Sequence, residues 1–393
     1  MMKICLSEEF AQTIGDLTKL NYTVESGVSI RNKYILYSIL KRLSERGIEY
    51  QLTELHKKFS LFKLSSLYML PLFMFKGVNM FEPCSYVCLE KIGKSVELNV
   101  DIKECDIIIL HHGFSLLKYH HAISNIKKGK RPLVLLEMPD NIIETVAYSA
   151  SKRYCIKLLE RVLQNDANIV DIITSPTLRD SLYYINVLKV LRTFTIYNIY
   201  NVFSNVFTDD NILSKKKSYA LCISTGSWYN ESIYKFVEEI ASLMNKYELE
   251  IKEIHILGAK SFYTLHIGNV RIYYWHKLPL NEYYEILSRC VITVLFPRVS
   301  WSGGHSVRLN DAALMGNVIL GSDYDLRGEP YEYQYTYLDA RDLIVKLLEL
   351  LRDKDKLIKW GMRNREIALE RGKRNEHTFD ILIDAIVKSI GIE

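Results

Sequence analysis

The sequence lacks the marks of several whole classes of protein. No apolar stretch is long enough to cross a bilayer, because the most apolar window, Leu61 to Met80, is broken by Lys63, Pro71 and Lys76. Its run LYMLPLFMF reads as a buried loop and strand, with a membrane interface as the other reading. The N-terminus MMKICLSEEF has no long apolar core, so it does not read as a secretion signal. No compact Lys/Arg run is present, and a net charge of +5 is too weak by itself to argue for nucleic acid. A short-period repeat, the mark of solenoids and propellers, is also missing. Cysteine is sparse and odd in number, seven in all. Cys84 and Cys88 stand four apart with no second Cys or His pair nearby, which argues against zinc. Cys105, Cys222 and Cys290 sit at or in apolar strand segments, so the cysteines read as buried thiols of a reduced, cytoplasmic setting.

What is present is ordinary in bulk and regular in pattern. A chain of 393 residues is long for one core and suits two domains of about 200. A hydrophobic content of 48% with 25% charged residues excludes wholesale disorder. Apolar runs of four to eight residues alternate with helical patterns, which predicts parallel strands joined by helical crossovers. In the first half the spacing predicts strands near Lys3 to Leu6, Tyr50, Val87, Asp106 to Leu110, Pro132 to Leu136 and Val170 to Ser175. A polar stretch from Asn205 to Lys217, ending in three lysines, reads as a linker. The pattern then restarts at Tyr219 to Ser224, Ile251 to Leu257, Val270 to Trp275, Val291 to Phe296 and Val318 to Leu320. The segment Thr378 to Ile390 is an amphipathic helix by its spacing of Phe379, Leu382, Ile386 and Ile390. Twenty-seven tyrosines include an alternating set at Tyr331, Tyr333, Tyr335 and Tyr337. Their rings suit sugars or a base, although richness in Ile, Lys, Tyr and Asn is also what an AT-rich genome gives.

The most informative block is SRCVITVLFPRVSWSGGHSVRLNDAALMGNVILGSD, Ser288 to Asp323. A strand from Val291 to Phe296 leads to a turn with Ser302, Gly303 and Gly304, then a helix ending at Gly316 and a strand from Val318 to Leu320. A helix opening on such a turn offers unpaired N–H groups and the positive end of its dipole, which suits a phosphate. Arg298 and Arg308 flank that position. Asp311, one to two turns in, is placed to accept hydrogen bonds from vicinal hydroxyls such as a ribose presents.

This block resembles the nucleotide-binding signature of retaining glycosyltransferases of the GT-B fold, in particular the group 1, or GT4, family. That signature is E-x7-E around a Gly-rich turn, then a small-residue helix ending in Gly. Asp311 falls at its second acid, while the first, which contacts the donor sugar, falls at Gly303 and is missing. Other pieces follow in the family's order: SGVSIRNKYILYSILKRLSERGIEY from Ser26, DIIILHHGF from Asp106, NIVDIITSPTLRDSLYY from Asn168 and the hinge-like IYNIYNVFSNVF from Ile196, with Asn198 in the Asn position. The resemblance implies two Rossmann-like doubly wound α/β domains facing a cleft. Residues 1–200 form an acceptor domain, 201–375 a nucleotide-sugar donor domain and 376–393 a helix returning to the first. Ligands in such folds bind at the carboxyl ends of the strands.

The basic pair that the family carries after the first strand of its second domain is missing from STGSWYNESIYKF, Ser224 to Phe236. Charge on a departing diphosphate then falls to Arg298, Arg308, Lys277, His305 and the N–H groups of Gly303, Gly304 and Ser306, helped by Thr225, Gly226 and Ser227. His111, His112 and Glu137 lie at strand ends of the first domain, where acceptor or donor-sugar contacts and a general base belong; Asp140 reads as a helix cap. The expected activity is transfer of a hexose from a nucleotide diphosphate sugar, with retention and without a metal or other cofactor, to a glycan, lipid or protein acceptor, with a peripheral membrane contact and no nucleic acid as partner. The competing readings are a non-catalytic GT-B module that binds glycan or protein, and another GT-B enzyme such as a nucleotide-sugar epimerase. A DNA-modifying glucosyltransferase is disfavoured, since a duplex groove usually carries a basic stripe.

Overall fold

A computed structural model describes residues 1–14, 27–55, 57–58, 97–98, 100–124, 126, 132–138, 169–187, 189–199, 212–225, 232–276, 278–296, 307–321, 326, 331 and 335–392. The first half is built on β1 (Met2–Ser7), α1 (Glu8–Ile14), α2 (Gly27–Glu45), β2 (Tyr50–Leu55), β3 (Ile107–His111), α3 (His112–Ser124), β4 (Leu133–Glu137), β5 (Ile172–Ser175), α4 (Leu178–Asn186) and β6 (Thr193–Thr195). Its six strands are all parallel, in the order β2-β1-β3-β4-β5-β6. Strands such as Ile-Ile-Ile-Leu in β3 are apolar without a break because both faces of a parallel sheet are covered. Alternate residues feed the two faces. Ile108, Leu110, Val134 and Leu136 pack with Tyr119 and Tyr184, while Ile107, Ile109, Leu133 and Leu135 pack with the α2 residues Tyr34, Ile35 and Ile39.

The second half follows with α5 (Ile212–Lys215), β7 (Lys217–Ser224), α6 (Ser232–Lys246), β8 (Glu253–Leu257), β9 (Tyr263–Ile267), β10 (Val270–Trp275), α7 (Leu280–Arg289), β11 (Cys290–Leu295), α8 (Val307–Leu314), β12 (Val318–Gly321), β13 (Tyr335–Thr336) and α9 (Ala340–Leu351). The sheet order is β9-β10-β8-β7-β11-β12-β13, parallel except for the edge strand β9. Strands β6, β9 and β13 were not expected from the spacing, and the strand expected near Val87 lies outside the described residues. The hairpin β9–β10 turns on Gly268, whose φ of +56° suits glycine, and Asn269. The Asn245 side chain clamps that turn, accepting from the Asn269 N–H at 2.9 Å and donating to the Ile267 carbonyl at 2.6 Å.

Two expectations need correction. The stretch expected as a polar linker up to Lys217 is structured at its end, where α5 spans Ile212–Lys215 and β7 starts at Lys217. Lys216 Nζ donates to the Cys290 carbonyl at 2.8 Å, to the Met315 carbonyl and to Asn317 Oδ1, and so closes the C-terminus of α8. Burial pushes its pKa well below the usual lysine range, and Arg365 adds to the effect. The free-thiol reading also fails at four cysteines. Cys5 is disulfide-bonded to Cys105 and Cys222 to Cys290, with Cα atoms 5.9 and 6.0 Å apart. The neighbouring parallel strands β7 and β11 bring Cys222 and Cys290 together across 68 residues of sequence, and Cys105, two residues before β3, meets Cys5 on the adjacent β1 across 100, a proximity the spacing hides. Cys84, Cys88 and Cys155 lie outside the described residues.

The last helix, α10 (Lys354–Ile390), runs 37 residues, far beyond the segment expected from Thr378. Asp353 caps its first turn through Lys356 N at 3.0 Å, and Gly391 ends it in the left-handed conformation, φ +73°. One buried stripe holds for its whole length, through Leu357, Gly361, Asn364, Ala368, Gly372, Asn375, Phe379, Leu382 and Ile386. The early part lies against α8 and β12, where Gly361 meets the Gly316 carbonyl so closely that a side chain has no room. The late part, Phe379, Leu382, Ile383 and Ile386, completes the core of the first sheet beside Ile4 and Tyr34. One helix therefore joins both cores.

Candidate functional site

In the first sheet the chain leaves β1 toward β2 on one side and returns to β3 on the other. That reversal makes a crevice at the carboxyl ends of β1 and β3. Ser7 ends β1 and His111 ends β3. Ser7 Oγ accepts from the N–H groups of His111 and Phe10, both at 3.3 Å, and Ser115 Oγ donates to Glu9 at 3.0 Å, so the first turns of α1 and α3 are tied together. His112 sits at the strand-to-helix elbow with φ +61°, a left-handed conformation that costs a non-glycine residue about 1 kcal/mol or more. Such strain is commonest where a site demands it.

His111 is half-buried, with its Nδ1 3.1 Å from Asn32 Nδ2 and its ring edge-on to Phe10. Burial lowers its pKa to about 3, helped by the nearby His112 and Arg31. Burial likewise lowers His112 to about 4. Both rings are neutral at physiological pH.

Glu137 ends β4 and is fully buried. Both its oxygens are engaged: Arg31 grips it through Nε and through Nη2 at 3.3 Å, and Thr174 donates its hydroxyl. Arg31 is itself 1% exposed and donates through Nη1 to the Ile196 carbonyl at 2.6 Å and to Asn198 Oδ1 at 2.9 Å. Glu137, expected as a possible base, therefore stands in a buried ion pair that ties α2 and the strand end to the segment leaving the first sheet.

The second sheet reverses between β7 and β11, whose carboxyl ends carry Ser224, Thr225 and Phe296. Arg308, in the first turn of α8, is 6% exposed and donates through Nη1 to the Ser224 carbonyl. Thr225 Oγ1 donates to the Leu257 carbonyl at 2.9 Å. Asp311, expected to lie open to a ribose, is 4% exposed and accepts from Tyr284 at 2.8 Å and from Tyr283 at 3.2 Å. Burial raises its pKa to about 7 against those two hydrogen bonds. As placed, it steadies the tyrosine pair, and a ribose reaches it only if a tyrosine gives way. Nearby, the Arg371 guanidinium lies 4.5 Å from the Tyr197 ring and 5.1 Å from that of Tyr331, beside Asn310. Asn375 holds Tyr197 by both its N–H (2.8 Å) and its carbonyl (2.9 Å).

The structure thus brings His111 and His112 to one crevice and Arg308 to the other. Gly226, Ser227, Lys277, Arg298, Gly303, Gly304, His305 and Ser306 lie outside the described residues, as does Asp140. Sequence reasoning passed over Arg31, Asn32, Tyr283 and Tyr284, since an Arg-Asn pair on a helix and a Tyr pair in an AT-rich composition look unremarkable. Among the described residues no three His, Cys, Asp or Glu side chains gather as metal ligands, and no helix is long and apolar enough to cross a membrane.

No family model matches the chain, and no curated protein does. Solved structures do. The α,α-trehalose-phosphate synthase (UDP-forming) of Burkholderia vietnamiensis aligns over 99% of this chain and 100% of its own, with 9% identity and a TM-score of 0.55. The catalytic domain of starch synthase IV of Arabidopsis thaliana, bound to ADP and acarbose, aligns over 100% and 99%, with 11% identity and a TM-score of 0.50. Against S. aureus TarM the identity is 17% and the TM-score 0.46; 75% of this chain is covered but only 58% of the TarM chain. At such identities the likeness speaks for architecture. Two parallel-dominated α/β sheets, each with its crevice at a reversal of strand order, and full-length alignment with these synthases give this chain the two-domain, Rossmann-like GT-B fold.

Proposed function

We propose that this chain is a glycosyltransferase that moves a hexose from a nucleotide diphosphate sugar to a glycan, lipid or protein acceptor. Residues 1–200 serve as the acceptor domain and 201–375 as the donor domain, with 376–393 returning to the first. The observation that supports it best is Arg308, a buried guanidinium in the first turn of α8, fixed on the Ser224 carbonyl at the β7–β11 reversal. The diphosphate sits there on Arg308, with Arg298 and the N–H groups of Gly303 to Ser306, and His305 beside it. Positive groups aimed at the charge that develops on the leaving group are commonly the largest catalytic term. In the first crevice His111 and His112, neutral, offer hydrogen bonds to the sugar or the acceptor. Glu137, held by Arg31, shapes that crevice rather than taking a proton. Transfer proceeds with retention.

A panel of UDP, GDP and ADP sugars read by thermal shift tests the reading. A donor at 100 times its dissociation constant adds about 2.7 kcal/mol. Arg308→Ala should abolish that gain; a shift that persists in the variant removes the phosphate assignment. The proposal includes independence of metal, although Asp323, Tyr324 and Asp325 follow β12 in the sequence. Transfer lost in EDTA and restored by magnesium or manganese overturns that part. A second reading, a module that binds without catalysis, is favoured by Asp311 lying closed beneath two tyrosines and by glycine in place of the first acid. Glycan binding with no response to any nucleotide sugar would select it.

A further inference from the structure

The first turns of α2 carry two consecutive polar residues that reach different parts of the crevice. Arg31 goes to Glu137 and the segment at Ile196 and Asn198, whereas Asn32 goes to the ring of His111. Asn32 is wholly buried, an environment in which a carboxamide is held by its partners rather than by water. Its Nδ2 carries only hydrogens to give, and it faces His111 Nδ1 at 3.1 Å. A ring nitrogen that accepts a hydrogen bond carries no proton. In a neutral imidazole the proton must then be on the other nitrogen.

We propose that Asn32 is a positioning residue which fixes His111 as the Nε2–H tautomer, so that Nε2 can give a hydrogen bond to a ligand oxygen but has no lone pair with which to take a proton, the lone pair on Nδ1 being engaged by Asn32. The inference rests on the reading of the β1–β3 crevice as a ligand site for its consequence, and on the Asn32 contact for its substance. The groups around the ring agree with it. Arg31 and His112 both disfavour a positive charge on His111, and burial does so most. Glu137, which would otherwise draw a proton toward the ring, is taken up by Arg31. The ligand atom this selects is an acceptor: a sugar hydroxyl oxygen or a phosphate oxygen. It also removes His111 from the candidates for general base, a role that needs a free lone pair at the reacting end.

The tautomer can be read without any ligand or activity. The full chain is labelled with ring-15N histidine, and long-range proton–nitrogen correlation at neutral pH shows which nitrogen of each ring is protonated, the His111 signals being identified by their loss in His111→Gln. The expected spectrum has His111 as a single tautomer with the proton on Nε2. In Asn32→Asp the carboxylate can only accept, so the proton should move to Nδ1, and in Asn32→Leu the ring should relax to a mixture of the two forms. A native ring with its proton on Nδ1, or one already averaging between the two, overturns the proposal. So does an Asn32→Asp spectrum that keeps the native tautomer. Should the buried carboxylate prevent folding, the native spectrum and Asn32→Leu decide, a single unchanged tautomer in the leucine variant counting against. Failure of the glycosyltransferase reading would show separately, as absence of any nucleotide-sugar response with the tautomer intact.

Discussion

Burial keeps a proton on Asp311 against two tyrosine hydrogen bonds, and that has a measurable consequence. Its folded pKa is about 7, raised from 3.8. Between roughly pH 4 and 7 the folded chain therefore holds a proton that the unfolded chain has released, so this residue's contribution to stability falls as pH rises through that window. Three units correspond to at most about 4 kcal/mol. Asp311→Asn should remove the slope, its amide oxygen still accepting from one tyrosine hydroxyl while its amide N–H donates to the oxygen of the other. Urea melts at pH 5 and pH 8 should show the native chain losing stability relative to the variant by a few kcal/mol, and equal slopes would contradict the assignment. Histidines 111 and 112, whose pKa values are lowered, act in the opposite direction, and taking the difference between variant and native chain cancels them. At the other crevice, Arg31→Ala leaves Glu137 buried without its partner, which should cost about 3 to 5 kcal/mol in a denaturant melt. The double change Arg31→Met with Glu137→Leu should cost much less. None of this was visible in the sequence. Arg31 lies on an amphipathic helix where an arginine usually meets solvent, and nothing local says that its partners are 106 and 167 residues away. Asp311 stood out in the sequence only by its place in a motif, and its two tyrosine partners come from another helix.

At the scale of elements, the packing of α10 on α8 depends on two glycines. Gly316 follows α8 with φ +68°, and its carbonyl touches Gly361. Gly361→Ala gains about 1 kcal/mol of helix propensity but drives a methyl group into backbone that cannot yield as a side chain would. The expected net effect is a loss of about 1 to 3 kcal/mol, seen as a lower melting midpoint; a stabilised variant would show that the two helices are free to separate. The long buried strands were legible because unbroken runs such as those of β3, β4 and β11 have few other uses. The hairpin β9–β10 was equally legible in principle, as Tyr-Thr-Leu-His-Ile and Val-Arg-Ile-Tyr-Tyr-Trp around Gly268 and Asn269, but strand β9 alternates at an edge and its apolar signal is diluted. Strands β6 and β13, of three and two residues, owe their pairing to a neighbour and carry no signal of their own.

For the whole molecule, the architecture was legible through the order of its pieces, while the unbroken length of α10 was not, since the apolar spacing that marks its last turns is diluted in its mostly polar middle turns. The consequence is that the first sheet depends on the far end of the chain. Burying Phe379, Leu382, Ile383 and Ile386 is worth roughly 1.5 to 3 kcal/mol each, together comparable with the whole stability of an ordinary domain. A chain ending at Asn375 should therefore bind a hydrophobic dye and elute as aggregate in gel filtration, and a synthetic peptide of residues 376–393 should reverse both. A compact, dye-silent truncated chain would show that the first core stands alone. The same helix sets a timetable for synthesis. The ribosome delivers everything else in the first sheet by Ile196, yet the residues that seal one of its faces come last, roughly 10 to 40 s later at ordinary elongation rates. Through that interval Ile4, Tyr34 and Ile39 wait with an open apolar surface, so the nascent chain, more than the finished protein, is the form that needs a chaperone.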